Sequence, residues 1–211
     1  MNFFSMDNFF FRTMSKFVDL LWLNILTLIC ALPIITMGAS LTAMYSVLIK
    51  MARNEEGYIT RSFFAAYREN FGNATKVWIC VLLVGAVCFL NLNLIKSGIM
   101  SGMPGMANAC TVCIILILLI VFSFLLYFWP LLGRYDKSLS GNIKNAFLLA
   151  AAYLPRTICM LIISLFPLAL MTISDYFLWL WFAYGFSFSG YFCAMLLVRI
   201  FDKTEEASGN E

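Results

Sequence analysis

Charged residues are scarce in this sequence, and they are absent from five long intervals. Only 12% of the 211 residues are charged, whereas 63% are apolar. Roughly 18–20 helical residues cross a hydrocarbon core of about 30 Å, and a charge at its centre costs about 3 kcal/mol or more. A soluble protein with buried helices would seldom contain five such intervals, so the sequence predicts a polytopic membrane protein. The intervals contain 30, 19, 37, 18 and 23 residues and lie between Asp19 and Lys50, Lys76 and Lys96, Lys96 and Arg134, Arg156 and Asp175, and Asp175 and Arg199.

Histidine is missing altogether, which removes the commonest general base and metal ligand. The sequence also contains no G-x-S-x-G, no Walker motif and no acidic pair within an uncharged interval. Asp19 and Asp175 fall at the ends of predicted helices, where solvation or capping accounts for them. We therefore predict no catalytic residue, no cofactor and no metal site, and expect a protein that is not an enzyme.

The spacing of the seven cysteines does not indicate a disulfide framework. All lie within or beside apolar segments, and no polar loop contains a pair, which argues against structural disulfides. Cys110 and Cys113 have the spacing of a redox or metal motif, but they begin a hydrophobic segment and have no second pair. We interpret them as small packing residues between helices.

Basic residues are distributed unevenly between the connecting segments. Residues 50–76 and 134–156 contain most of the lysines and arginines, whereas 96–106 and 174–176 contain few. Because basic loops stay in the cytoplasm, we predict that the two basic segments and the C-terminal tail, residues 201–211, are cytoplasmic.

The first uncharged interval is too long for one untilted crossing and is interrupted at Pro33, with Gly38 shortly after it. In one alternative, residues 18–32 and 38–51 form a short hairpin or re-entrant pair, with the N-terminus inside. In the other, 18–37 crosses once and 39–52 lies along the interface, with the N-terminus outside. The aromatic and basic residues of segment 1–17 suit the headgroup region and favour the hairpin.

Two later segments are amphipathic rather than uniformly apolar. In residues 58–75, Phe63, Phe64, Tyr67 and Phe71 follow helical spacing, which predicts a cytoplasmic helix resting on the membrane or on a partner. Residues 139–152 show a second such pattern. The predicted organisation is one integral membrane domain, 1–211, divided into 1–17, 18–51, 58–75, a helical hairpin at 77–133, 139–152, a second hairpin at 157–200, and 201–211.

Polar residues inside the apolar segments have two alternative interpretations. A buried asparagine can join helices by hydrogen bonds, or it can line the path of a solute or ion. No carboxylate lies in the middle of a predicted span, which favours an accessory or interaction protein over an ion-coupled carrier. The candidate intramembrane polar or kink positions are Asn24, Pro33, Thr36, Gly38 and Asn91.

A second set of candidates lies at the cytoplasmic side. Pro130 bends the end of a predicted span just before Arg134, so this segment is either a local helix end or a docking site. Together the two basic amphipathic helices would form a cytoplasmic platform for protein or anionic lipid. The candidate docking residues are Tyr67, Arg68, Asn70, Phe71, Arg134, Tyr135 and Asp136.

Several short segments of the sequence together match one known family. They are residues 21–24, 32–39, 53–58, 63–71 and 74–75, with weaker matches at 134–136, 144–146 and 154–157. In these segments the sequence resembles the YesL family, bacterial membrane proteins that carry a domain of unknown function. The resemblance is strong over residues 8–80 and weaker beyond them. It implies a bacterial plasma-membrane protein whose genes lie near those of sugar ABC transporters and glycoside hydrolases, and it supplies no catalytic residues.

These observations predict an all-α polytopic bundle of five or six hydrophobic helices with two cytoplasmic amphipathic helices and a cytoplasmic C-terminus. The predicted function is a non-catalytic accessory or assembly subunit associated with ABC-type carbohydrate uptake, docked on permease or ATPase subunits in the lipid bilayer. The alternative is a small, self-sufficient transporter or channel that acts as a homo-oligomer. We expect no nucleic-acid partner.

Overall fold

A computed structural model describes residues 3–55, 57–97, 104–134, 138–171 and 185–200. These residues form helices and their connections and contain no strand, so the predicted all-α class is confirmed. Among the described residues, four helical segments are long and apolar enough to cross a membrane, and a pair of helices bent by 98°, Leu139–Ala152 and Leu154–Pro167, would be a fifth. The helices are α1 Phe3–Ala31, α2 Met37–Ala52, α3 Ile59–Lys96, α4 Pro104–Arg134, α5 Leu139–Ala152, α6 Leu154–Met171 and α7 Gly185–Ile200.

Helix α2 lies at the centre of the bundle. It packs against α1, α3 and α4, and Gly190 of α7 approaches Met44 and Leu48. The hydroxyl groups on α2 bind backbone carbonyls: Ser40 donates to Thr27 of α1 at 2.7 Å and Thr42 to Gly38 at 2.9 Å. A helix with this many small and hydroxyl side chains can therefore be enclosed by protein without leaving these donors unsatisfied.

The connection between α1 and α2 is short and begins at Pro33. Because proline lacks a backbone donor, α1 ends at Ala31, and a 3₁₀ turn, Ile34–Thr36, reverses the chain into α2. The two helices then lie antiparallel, as the bond from Ser40 to Thr27 shows. This arrangement corresponds to the hairpin alternative.

Two helices are longer than the sequence suggests. Residues 3–17 of the predicted interfacial segment 1–17 are continuous with the first apolar segment in α1. The predicted helices 58–75 and 77–95 are a single helix, α3, of 38 residues. The sequence divides them because the composition changes at Lys76, but neither proline nor a turn interrupts the chain there. By contrast, α5 has the predicted bounds, and residues 172–184 of the second predicted hairpin lie outside the described residues.

Glycines allow α2 to approach its neighbours closely. A Cβ atom on Gly38 would lie 2.7 Å from Cβ of Trp78 and 3.0 Å from the ring of Trp129. One on Gly133, near the end of α4, would lie 2.9 Å from the carbonyl oxygen of Thr42. Since real Cβ atoms do not come this close, α2, α3 and α4 meet in the observed way only with glycine at these positions.

Helix α3 has two halves with different surroundings. Residues 59–78 run antiparallel to α2, from the loop at Tyr58 to the contact between Trp78 and Gly38. Residues 79–96 continue past the beginning of α2, and most of their apolar side chains are exposed. We call these the packed half and the distal half of α3.

Candidate docking surface and pocket

One face of the packed half of α3 is buried in the hydrophobic core of the protein. Phe63, Ala66, Ala74 and Val77 are buried and belong to the same hydrophobic cluster as α2. Tyr67 is half-buried, with its ring stacked on that of Phe63 at a centroid distance of 6.2 Å. Part of the apolar face predicted to rest on the membrane or a partner, Phe63 and Tyr67, therefore packs against the protein itself, because α2 offers it a surface of small side chains.

Beside this buried face lies an exposed row, which we call the outer strip: Arg61, Phe64, Arg68 and Phe71. Their spacing of three, four and three residues places them along one line of the helix. Phe64 and Phe71 are 41% and 39% exposed although both are aromatic. Two arginines alternating with two exposed rings are typical of a protein interface rather than of an ordinary solvated helix face.

The predicted docking residues on α3 separate into two pairs. Arg68 and Phe71 are exposed and belong to the outer strip. Tyr67 and Asn70 are half-buried, and the side-chain amide of Asn70 donates to the carbonyl oxygen of Ala66 at 3.1 Å. Asn70 therefore contributes to the helix itself. Phe64, predicted on the amphipathic face, also belongs to the exposed strip, and Arg61 joins it without having been predicted there.

The remaining predicted docking residues lie at the end of α4. Arg134 is half-buried, next to Gly133, whose close approach to Thr42 places the end of α4 against the middle of α2. Tyr135 and Asp136 lie outside the described residues.

The predicted intramembrane candidates do not come together around a path. Asn24 is fully buried, and its side-chain oxygen accepts a hydrogen bond from the backbone amide of Ser187 at 3.2 Å, which joins α1 to α7. The Thr36 hydroxyl lies 2.8 Å from two backbone carbonyls in the turn after α1. Asn91 is exposed and donates to the carbonyl of Val87 on its own helix at 2.8 Å. Asn24 and Thr36 thus hold the fold, as does Gly38 at its close contact with Trp78.

A polar cavity of about 310 Å³ lies beside the packed half of α3 and was not predicted. The indole nitrogen of Trp22 donates to the Thr60 hydroxyl at 2.9 Å on its wall. An acid, a base and aromatic rings around one cavity suit a small polar ligand or a partner's side chain. No motif in the sequence could indicate it, because the lining comes from three separate segments. The lining residues are Asp19, Trp22, Val47, Lys50, Met51, Gly57, Tyr58, Ile59, Thr60 and Ser62.

A comparison with known protein families found a match to one region of the chain. The model of a family described as "Protein of unknown function, DUF624" matches residues 19–92. No curated protein and no solved structure matches the chain. The matched residues include α2, the outer strip and every residue that lines the polar cavity. The chain is thus a multi-pass membrane-type helical protein with a DUF624 domain in its N-terminal part.

Proposed function

We propose that this protein is a non-catalytic accessory or assembly subunit of the YesL type, associated with ABC-type carbohydrate uptake in a bacterial plasma membrane. Its cytoplasmic side would include the packed half of α3 and the C-terminus. The match to DUF624 and the resemblance to YesL proteins overlap over residues 19–80, which supports the family assignment. The link to carbohydrate uptake rests on that resemblance.

The observation that carries the proposal is the outer strip. Phe64 and Phe71 remain exposed although α2 covers the inner face of the same helix. Arginine and aromatic residues are the types that contribute most to protein interfaces. Arg61, Arg68 and the two rings therefore form the surface at which a permease or ATPase subunit would dock.

A small self-sufficient transporter is the second candidate. A largely apolar cavity of about 210 Å³ between α2, α4, α6 and α7 favours it. Tyr45 and Ser164 are among the few polar side chains in its wall. Because neither Asn24 nor Asn91 lines this cavity, it lacks the polar path that the transporter alternative predicts.

Extraction of the tagged protein from its native membrane in mild detergent, followed by quantitative mass spectrometry, tests the proposal. We expect permease or ATPase subunits in stoichiometric amounts, reduced at least tenfold by the double variant Arg68→Ala/Phe71→Ala. The variant Asn73→Ala, also exposed on the packed half of α3 but off the strip, should leave recovery unchanged. Recovery of the protein alone as a defined oligomer would instead favour the transporter and contradict the accessory role.

A further inference from the structure

The turn between α1 and α2 lies level with Trp78 of α3. The indole nitrogen of Trp78 donates to the carbonyl oxygen of Ile34 at 2.7 Å. At the other end of the helix pair, Met51 and Ile59 line the same cavity. The whole of α2 therefore lies beside residues 59–78 of α3, and the turn reaches no further along α3 than Trp78.

The position of the bilayer along α3 follows from its charges. Arg68 and Lys76 are exposed on the packed half, no charge occurs from 77 to 95, and Lys96 follows. The rise from Lys76 to Lys96 is about 30 Å, which equals the thickness of a hydrocarbon core. The complete helix is about 57 Å long, so the bilayer encloses its distal half and cannot also enclose its packed half.

Burial gives an independent indication of which helices contact lipid. In the apolar segment that contains α2, 67% of the residues are buried by the protein, compared with 28% for the segment of α1, 6% for that of α3 and 17% for that of α4. The apolar character of α2 is therefore explained by its protein neighbours, whereas that of α1, α3 and α4 requires an external apolar medium.

The turn itself is exposed and apolar. Leu32, Ile34 and Ile35 are 78%, 67% and 57% exposed, at the level where the charges of α3 end. From Trp78 to Lys96 the remaining rise is about 27 Å, so the turn lies far from the opposite membrane face.

We propose that the α1–α2 hairpin does not cross the bilayer. It inserts from the side on which α3 begins and turns back within that leaflet, where Leu32, Ile34 and Ile35 contact lipid acyl chains. The insertion is oblique, because α1 exposes Trp22 and Ile29 beside the packed half of α3, on which Arg68 is exposed as well. The exposed Lys50 and Lys76 lie on the same side, where they suit anionic headgroups.

Depth and sidedness can be measured on the full-length protein without replacing its cysteines. A keto amino acid is incorporated at residue 35, at 87 in the distal half, or at 97 just beyond α3, and carries a nitroxide. In vesicles of phosphatidylcholine and phosphatidylglycerol, collision with oxygen and with a water-soluble nickel complex reports depth. Residues 35, 87 and 97 are all exposed, so the probe disturbs no packed contact.

We expect the probe at 35 to lie shallower than the one at 87 by about 13 Å, the rise of nine helical residues. In intact protoplasts, an impermeant hydroxylamine reagent should label position 97 and leave position 35 unlabelled. Labelling of 35 together with 97 from outside, a depth of 35 equal to that of 87, or full exposure of 35 to water would each overturn the proposal. Neither measurement requires a partner subunit, so the result does not depend on the accessory function.

Discussion

Helix α2 and the distal half of α3 are both uncharged over most of their length, yet the protein encloses the first and leaves the second exposed. The difference lies in side-chain size. The first half of α2 contains Gly38, Ala39, Ser40 and Ala43, which let neighbouring helices approach, whereas the distal half presents large aliphatic and aromatic side chains outwards. An uncharged interval therefore predicts an apolar environment, and the size of its residues indicates whether protein or lipid provides it.

The largest effect in this comparison should come from Gly38→Leu. The new side chain would collide with Trp78 and Trp129, and overpacking of this kind should cost about 3 kcal/mol of unfolding free energy. In the distal half, Gly85→Ala meets no atom within 4 Å and should be neutral or stabilise the helix by up to about 1 kcal/mol. Thermal unfolding in detergent measures both changes in stability. Equal effects would contradict the distinction between α2 and the distal half of α3.

The next largest effect should come from Asn24→Ala. This change removes the acceptor of the buried Ser187 amide and leaves a small void, at a cost of about 2 kcal/mol. Asn91→Ala, matched in chemistry but exposed on the distal half, should change stability by less than about 0.5 kcal/mol. If Asn24→Ala left the unfolding free energy unchanged, the contact between α1 and α7 would not stabilise the fold.

A smaller loss is expected for Trp78→Phe. The phenyl ring fills most of the same space but cannot donate to the Ile34 carbonyl, so the loss should be about 1 kcal/mol. Since this bond holds the turn after α1 to α3, hydrogen exchange of the amides in residues 34–38 should accelerate more than exchange in α4. Uniform acceleration would contradict a local role for this bond.

The smallest effect on stability belongs to the outer strip. Arg68→Ala removes an exposed side chain and should alter the unfolding free energy by less than about 0.5 kcal/mol. Its effect should instead appear as reduced recovery of the docked subunits. Destabilisation of 2 kcal/mol or more would contradict this, because it would give Arg68 a structural role.

Parts of the fold follow directly from the sequence. Pro33 predicts the break after α1, and the amphipathic pattern predicts the bounds of α5. The continuity of α3 through Lys76 could not be predicted, because a change in surface polarity resembles a helix boundary when only composition is considered. For the proposed docking surface, helical spacing predicts a face that contains Phe64 and Phe71. It cannot distinguish the buried Phe63 from the exposed Phe64, since their burial depends on where α2 lies.

Site-specific photo-crosslinking in the native membrane tests whether the packed half of α3 contacts a protein partner while the distal half contacts lipid. A benzophenone amino acid replaces either Phe64 on the packed half of α3 or Phe89 on the distal half, two exposed phenylalanines on one helix. We expect a discrete protein adduct from position 64, containing a permease or ATPase subunit, and only lipid adducts from position 89. Lipid adducts alone from position 64, or the same protein adduct from both positions, would contradict it.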